Sequence, residues 1–482
     1  MKISLLALVI LIGSAAGCSS VGPNYERADP PVPRQFGSLE KGISTADPIS
    51  AALLTAWWKI FNDPVLNSLI DRAVKGNLDI RIAEARVRQS RALSLDRESR
   101  QYIEGEFTGG YQRQRRTESG LAGQSSDGLG ASSASVGKRE TDLYLVGFDA
   151  SWEIDIFGGV RREIEASQAD LEASEENLRN ALVTLQGEVA RNYIELRGQQ
   201  LRIEIARREV EIRQDNLRLI ESRLRAGFVS ELDVARGRGD LASAQSRIPQ
   251  LENGLRSSFH RLSLLLGQEP MSLSSEFEDQ KKLPGVPENL PTGLPSELLR
   301  RRPDIRKAER ELAASTARIG VSTAELFPKF SLTGSFGYQN TKMDELPREG
   351  SNFWRIGPSI RWSILNFKRI TANIEANKGA REEALARYEK SILNALEEVE
   401  NALVILSQEK RRAEALANAV DANALAFALA RERYRVGVQS YLEVLDSETA
   451  LYSAKDQLEQ SRQNRAIALI ALYKALGGGW TE

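Results

Sequence analysis

Leu143-Tyr144-Leu145-Val146-Gly147-Phe148-Asp149-Ala150-Ser151-Trp152-Glu153-Ile154-Asp155-Ile156 is the stretch that decides how this chain is read. Its even positions are all apolar or aromatic, whereas its odd positions include Gly147, Asp149, Ser151, Glu153 and Asp155. Alternation with a period of two marks a strand with one apolar face. The same parity recurs in Trp354, Ile356, Pro358, Ile360, Trp362 and Ile364 against Arg355, Gly357, Ser359, Arg361 and Ser363. A shorter partner precedes each: Ile103, Gly105, Phe107, Gly109 and Tyr111 in one case, Phe330, Leu332, Phe336 and Tyr338 in the other. Strands are therefore predicted over about 103–113, 143–156, 329–338 and 353–365. These are near the ~9–11 residues of a tilted membrane strand, with aromatics towards the ends. Alternation alone equally describes a soluble sandwich with one buried face. Pro358 lacks a ladder donor, which predicts a bulge or local distortion.

Outward from these strands, the chain is duplicated. An offset of 210 residues carries Gly147, Trp152, Ile154, Phe157 and Ile164 onto Gly357, Trp362, Ile364, Phe367 and Ile374 without a gap. It continues through Arg223, Gly227, Ser230 and Leu232 onto Arg433, Gly437, Ser440 and Leu442. Upstream the offset is 225, pairing Phe107-Thr108-Gly109 with Leu332-Thr333-Gly334. The first copy thus holds 15 extra residues, which fall in the Ser/Gly-rich stretch from Thr117 to Gly137, as expected of an exposed loop tip.

After each strand pair comes a long proline-free run, 160–225 and 370–435. Leu171, Leu178, Leu182, Leu185, Val189, Tyr193 and Leu196 recur in steps of three, four or seven, a coiled-coil-like helix roughly 100 Å long at ~1.5 Å per residue. A second helix follows each, 231–266 and 441–476, after turns containing Gly227 and Ser230 or Gly437 and Ser440. Glycine is the stop signal and serine the N-cap, so each pair is a tight helical hairpin.

The charge balance, 65 Lys and Arg against 66 Asp and Glu, gives no field that would attract nucleic acid. One Cys and one His exclude an internal disulfide framework, a Cys-rich zinc site and most histidine-based catalysis, and His260 reads as a helix-surface residue. No cofactor and no metal site are expected. Lys2 precedes an apolar core from Leu5 to Ile12, and small residues lead into Cys18, the pattern of an export signal too short to span a membrane. No apolar run of eighteen residues follows, so a bilayer would have to be crossed by strands. Four strands cannot close a membrane barrel, so several chains must share one.

The chain accordingly divides into a signal peptide (1–17), an extended arm (18–61), a first repeat (62–270), a Pro-punctuated linker (271–294) and a second repeat (295–478). Each repeat holds a helix, two strands, a long helix and a shorter one.

Together these elements closely resemble the TolC-like outer-membrane factors, in the lipoprotein branch of OprM and the NodT-type efflux components. The most specific pieces are Val21-Gly22-Pro23-Asn24-Tyr25, the run Trp57-Trp58-Lys59-Ile60-Phe61-Asn62-Asp63-Pro64, Trp152-Glu153-Ile154-Asp155-Ile156-Phe157-Gly158, and Leu298-Leu299-Arg300-Arg301-Arg302-Pro303-Asp304-Ile305. Ser14-Ala15-Ala16-Gly17-Cys18 resembles a lipobox, which implies that Cys18 is lipidated and that the chain is anchored at the outer membrane of a Gram-negative bacterium. The resemblance implies an α+β membrane protein, a homotrimer whose twelve-stranded β-barrel is continued by a long periplasmic α-helical barrel. It also implies docking onto a periplasmic adaptor and an inner-membrane pump of the RND type, with the turns at Gly227, Ser230, Gly437 and Ser440 as adaptor contacts. Glu443 and Asp446 match the constriction carboxylates, and Tyr434 and Asp233 match a gate in which a tyrosine hydroxyl bonds a carboxylate. Gln439 departs from the basic residue some members carry there. Glu397, Glu398 and Glu400 read as a solvated face.

Two other readings predict different features. A periplasmic adaptor lipoprotein would carry one helical hairpin flanked by lipoyl-like and small barrel domains, without the duplication. A surface-anchored enzyme would need a Gly-flanked nucleophile, a phosphate loop or metal-ligand spacing, and the chain shows none of these.

Overall fold

The computed structural model describes residues 20–27, 33, 36–37, 43–44, 54–115, 140–277, 282–287, 290–291, 300–346 and 348–480. The expected signal peptide, Cys18 and the loop from Thr117 to Gly137 lie outside the described residues. The principal elements run α1 (Pro64–Gly76), α2 (Leu78–Ser99), β1 (Glu104–Arg115), β2 (Glu140–Ile154), α3 (Gly159–Arg225) and α4 (Glu231–Leu265). They continue as α5 (Pro303–Ala324), β3 (Lys329–Asn340), β4 (Asn352–Arg361), α6 (Phe367–Arg435) and α7 (Tyr441–Ala475). No helix among the described residues is long and apolar enough to cross a membrane. Two compact units share these elements, one built from residues 1–27, 89–171 and 310–385, the other from 28–88, 172–309 and 386–482.

The first unit contains one antiparallel sheet in the order β1-β2-β3-β4. Register aligns like with like. Phe107, Phe148, Phe336 and Trp354 form one row across all four strands, and Glu106, Asp149, Ser335 and Arg355 form a row on the opposite face. All four members of the aromatic row are more than half exposed, so the apolar face has no cover among the described residues.

The register runs without interruption through Pro358, opposite Leu332, so the predicted bulge is absent. The reason lies in the hydrogen-bond phase. Gln339 N–H donates to Ser351 O at 2.8 Å. Alternation along the pair then places Pro358 in a non-hydrogen-bonded position, its nitrogen turned towards the free edge of β4. An edge strand tolerates proline because no ladder bond inside the sheet is lost.

The predicted strand over 353–365 ends at Arg361, and a 3₁₀ turn follows at Ile364–Asn366. At this boundary the Trp362 indole donates to Leu326 O at 3.0 Å, as Trp152 does to Gln101 O at 3.0 Å. The two acceptors are 225 residues apart and the two donors 210, so one contact reproduces both offsets of the duplication.

Also in this unit, the segment Ser20 to Arg27 is pinned to the start of α3. Val21 N–H donates to Phe157 O at 3.0 Å, and the buried Arg162 guanidinium donates to Asn24 Oδ1 at 2.6 Å. Gly158, at φ +79°, leaves room there: a Cβ would fall 2.5 Å from Ser20 Cα.

The second unit holds the main core. Asp63 caps α1 by accepting from Val65 N at 2.8 Å, with Pro64 in the first turn where its missing N–H costs nothing. Leu66, Leu69, Ile70 and Ala73 then form the buried stripe. Trp57 is fully buried and stacks on Tyr473, centroids 6.0 Å apart. The arm expected to be extended through 61 instead closes with a 3₁₀ turn at Trp57–Phe61, because burying Trp57, Trp58 and Phe61 together requires a turn. Glu398 does not belong to a merely solvated face: Arg302, 7% exposed, bonds it at 2.6 Å together with Asp304 at 2.6 Å. Glu400 likewise accepts from Gly37 N at 2.6 Å.

Candidate functional site at the hairpin tips

The two hairpins of the second unit end in matching turns. At the end of α3, Gly227 takes φ +77°, Phe228 N–H reaches back to Arg223 O at 2.9 Å, and Gly227 N–H to Leu224 O at 3.0 Å. At the end of α6, Gly437 takes φ +82°, with Val438 N–H to Arg433 O and Gly437 N–H to Tyr434 O, both 3.0 Å. This pair of hydrogen bonds closes a helix around a left-handed residue. No atom lies within 4 Å of where either Cβ would sit, so conformation, not space, calls for glycine. Phe228 and Val438, next in sequence, are 80% and 77% exposed.

Behind the turns the hairpins share a small core of Ile220, Val234, Phe427, Tyr434, Tyr441, Val444 and Leu451. Tyr434 is central to it at 4% exposure, and its ring lies 5.7 Å from that of Tyr441. The Arg223 guanidinium covers the Tyr434 ring at 4.4 Å and donates to Arg435 O at 2.8 Å, tying one tip to the other.

The expected bond between Tyr434 and Asp233 is not formed. Asp233 Oδ2 accepts the Ser230 N–H at 3.1 Å and the Ser230 hydroxyl at 2.9 Å, closing the first turn of α4 on itself. A contact three residues away costs less chain entropy than one between hairpins, and it holds Oδ2 of the carboxylate to its own turn. The Tyr434 hydroxyl is buried without a hydrogen-bond partner among the described residues, and burial raises its pKa. Ser440 stands at the N-cap of α7 in extended conformation, but its side chain makes no cap bond.

Glu443 and Asp446 are exposed one helical turn apart on α7, and neither carboxylate has an ion pair among the described residues. A third acid on the same helix was not singled out from sequence. Glu448 is completely buried; its Oε2 accepts from Asn216 Nδ2 at 2.7 Å, while Oε1 is unbonded. Arg213 stands 3.6 Å from it but is committed to Glu209 at 2.8 Å. Burial, against the partial compensation of Arg213, pushes the Glu448 carboxyl up to about 7. The signal was present: Glu448 continues the apolar stripe of Tyr441, Val444, Leu451 and Tyr452 at steps of three and four.

The family model for outer membrane efflux proteins matches residues 69–268 and 294–478. Nodulation protein T of Rhizobium leguminosarum bv. trifolii is 30% identical over 465 residues, 96% of this chain and 95% of that protein. The solvent efflux pump outer membrane protein SrpC of Pseudomonas putida is 32% identical over 485 residues, 100% of this chain and 98% of that protein. Among solved structures, the outer-membrane channel OprN superposes with a TM-score of 0.87 at 34% identity, covering 96% of this chain and 100% of that one. The exposed apolar sheet face, the paired hairpins and these matches agree: the chain belongs to the outer membrane efflux protein family.

Proposed function

We propose that the chain is one subunit of an outer-membrane efflux conduit, assembled as a homotrimer, anchored by lipid on Cys18, and opened at its hairpin tips by an adaptor and an inner-membrane pump. The observation that carries this reading is the four-stranded sheet with its uncovered apolar face. Such a face belongs in lipid, and a sheet with two free edges is stable there only when other copies complete a closed barrel. Three copies supply twelve strands. The adaptor alternative expects one hairpin, whereas this chain has two, with strands between them.

At the tips, exposed Phe228 and Val438 offer apolar anchors for the adaptor, flanked by the two glycine turns. Glu443 and Asp446, repeated about a threefold axis, make carboxylate rings that favour cations. The protein reconstituted in a planar bilayer should give discrete, cation-preferring conductance. The double substitution Glu443→Gln with Asp446→Asn should move the reversal potential towards zero selectivity. Silence from an intact trimer would overturn the conduit reading, and an unchanged reversal potential would remove these two carboxylates from the constriction.

A further inference from the structure

The edges of the sheet carry information about how one copy meets the next. Every in-chain register is fixed, so the rows can be followed from β1 to β4: Asn352 of β4 lies in the row of Tyr338, Val146 and Gly109. The first hairpin, however, continues to Arg115 and Glu140, six residues past Gly109 on β1. A row that passes round a barrel of tilted strands does not return to its starting residue. At a tilt of 35–45°, four strands spaced about 4.8 Å apart shift the row by about four to six residues. The shift must be even, because an odd one would exchange the two faces.

The direction of this shift is set by chirality. For L-residues on an ascending strand, viewed with the apolar side chains towards the observer, those residues' backbone N–H and C=O groups point right. The hydrogen-bond phase set by Gln339 and Ser351 gives the apolar-face residues of β1 backbone groups that point away from β2. Seen from lipid, then, with β1 running away from the periplasm, β2 lies to its left. Strands of a barrel lean in a right-handed sense, so rows climb along this chain order. β4 therefore meets the next copy's β1 further along, towards Arg115.

We infer that β4 of one copy pairs antiparallel with β1 of a second copy in a register six residues beyond the in-chain rows, Asn352 opposite Arg115 and Arg361 opposite Glu106. This rests on the homotrimeric barrel proposed above and names its seam. The register uses all ten residues of β4 and leaves no unpaired overhang at the Arg115 end. On the polar face it brings together Arg361 and Glu106, neither of which has an ion pair among the described residues of its own chain. On the apolar face it sets Ile360 against Phe107, Ile356 against Tyr111, and Trp354, 72% exposed, against the Arg113 guanidinium. A shift of four would leave Gln114 and Arg115 unpaired and place Arg361 opposite Glu104.

Cysteine pairs in the full-length protein test the register, since the chain has one native cysteine, Cys18. Ser359 and Thr108 are opposite at a non-hydrogen-bonded seam position on the polar face, where Cβ atoms lie about 4.5–5.5 Å apart, close to disulfide reach. Mild oxidation of the Ser359→Cys, Thr108→Cys variant should give covalent dimers and trimers on denaturing gels at least about tenfold more efficiently than Ser359→Cys combined with Glu106→Cys or with Gly110→Cys. Preferential linking to position 106 or 110, or no linking in an intact trimer, overturns the register and leaves the trimer standing. A monomer by native mass spectrometry, with no linking in any pair, overturns the trimer itself. As a second readout, Arg361→Glu should lower the melting temperature of the trimer and Glu106→Arg in the same chain should restore it; absence of rescue refutes the pairing of these two charges.

Discussion

Replacing Glu448 by Gln should abolish a pH dependence of the hairpin tips. Glu448 faces Glu209, Arg213 and Asn216 of α3, Arg431 of α6, and Tyr441 and Tyr452 of its own helix, with Asp240 of α4 near Tyr441. Its carboxyl titrates near 7 in the packed tip and near the ordinary 4.5 once exposed. A raised carboxyl favours the packed state while it is neutral. Tip stability is therefore greatest below about 4.5 and falls as pH rises through 7. The separation of the two values corresponds to about 3 kcal/mol, at ~1.4 kcal/mol per unit. Amide hydrogen exchange along α7, corrected for intrinsic rates between pH 5 and 8.5, reads this directly. Wild-type protection should decline from pH 5 to just above 7 and then level off, while the Gln variant, which keeps the Asn216 bond, should stay level throughout and be the more protected at pH 8. A variant that retains the wild-type slope refutes the assignment. Because Arg213 is shared between the two carboxylates, Glu209→Gln should remove a repelling charge and free Arg213 to hold the Glu448 carboxylate, which lowers the raised Glu448 value, so the decline should become shallower and end at lower pH.

Other perturbations follow from the same contacts. Arg223→Ala removes both the bond to Arg435 O and the cation over Tyr434, worth together about 1–2 kcal/mol, so single-channel records should show more frequent opening; unaltered gating would deny the tie between tips. Trp57→Ala empties a fully buried site stacked on Tyr473 and should cost about 3–5 kcal/mol, seen as a large fall in melting temperature, with a small change counting against its place in the core.

The strands and hairpins were legible because their signals are local. Parity along Leu143 to Ile156, and glycine after a long apolar-periodic run, need no knowledge of the rest of the molecule. What sequence missed depends on competition between partners. Asp233 was matched to Tyr434 by position, yet the serine three residues before it captures the carboxylate first. Glu398 reads as one of three acids on a helix face until Arg302, almost a hundred residues earlier, is brought beside it. Pro358 shows a further gap: whether a proline breaks a strand depends on which way its nitrogen faces, and that phase is invisible without the partner strand.

In the proposed trimer, that phase also acts against mispaired edges. The outward nitrogen of Pro358 would cost the proposed seam one hydrogen bond, at the carbonyl of Gly109. Two β4 edges meeting antiparallel would lose two such bonds, one per proline. The β4 edge is thus a poorer match for itself than for β1, a bias that in the proposed trimer would sort chains inserting side by side in a crowded membrane head to tail into a ring.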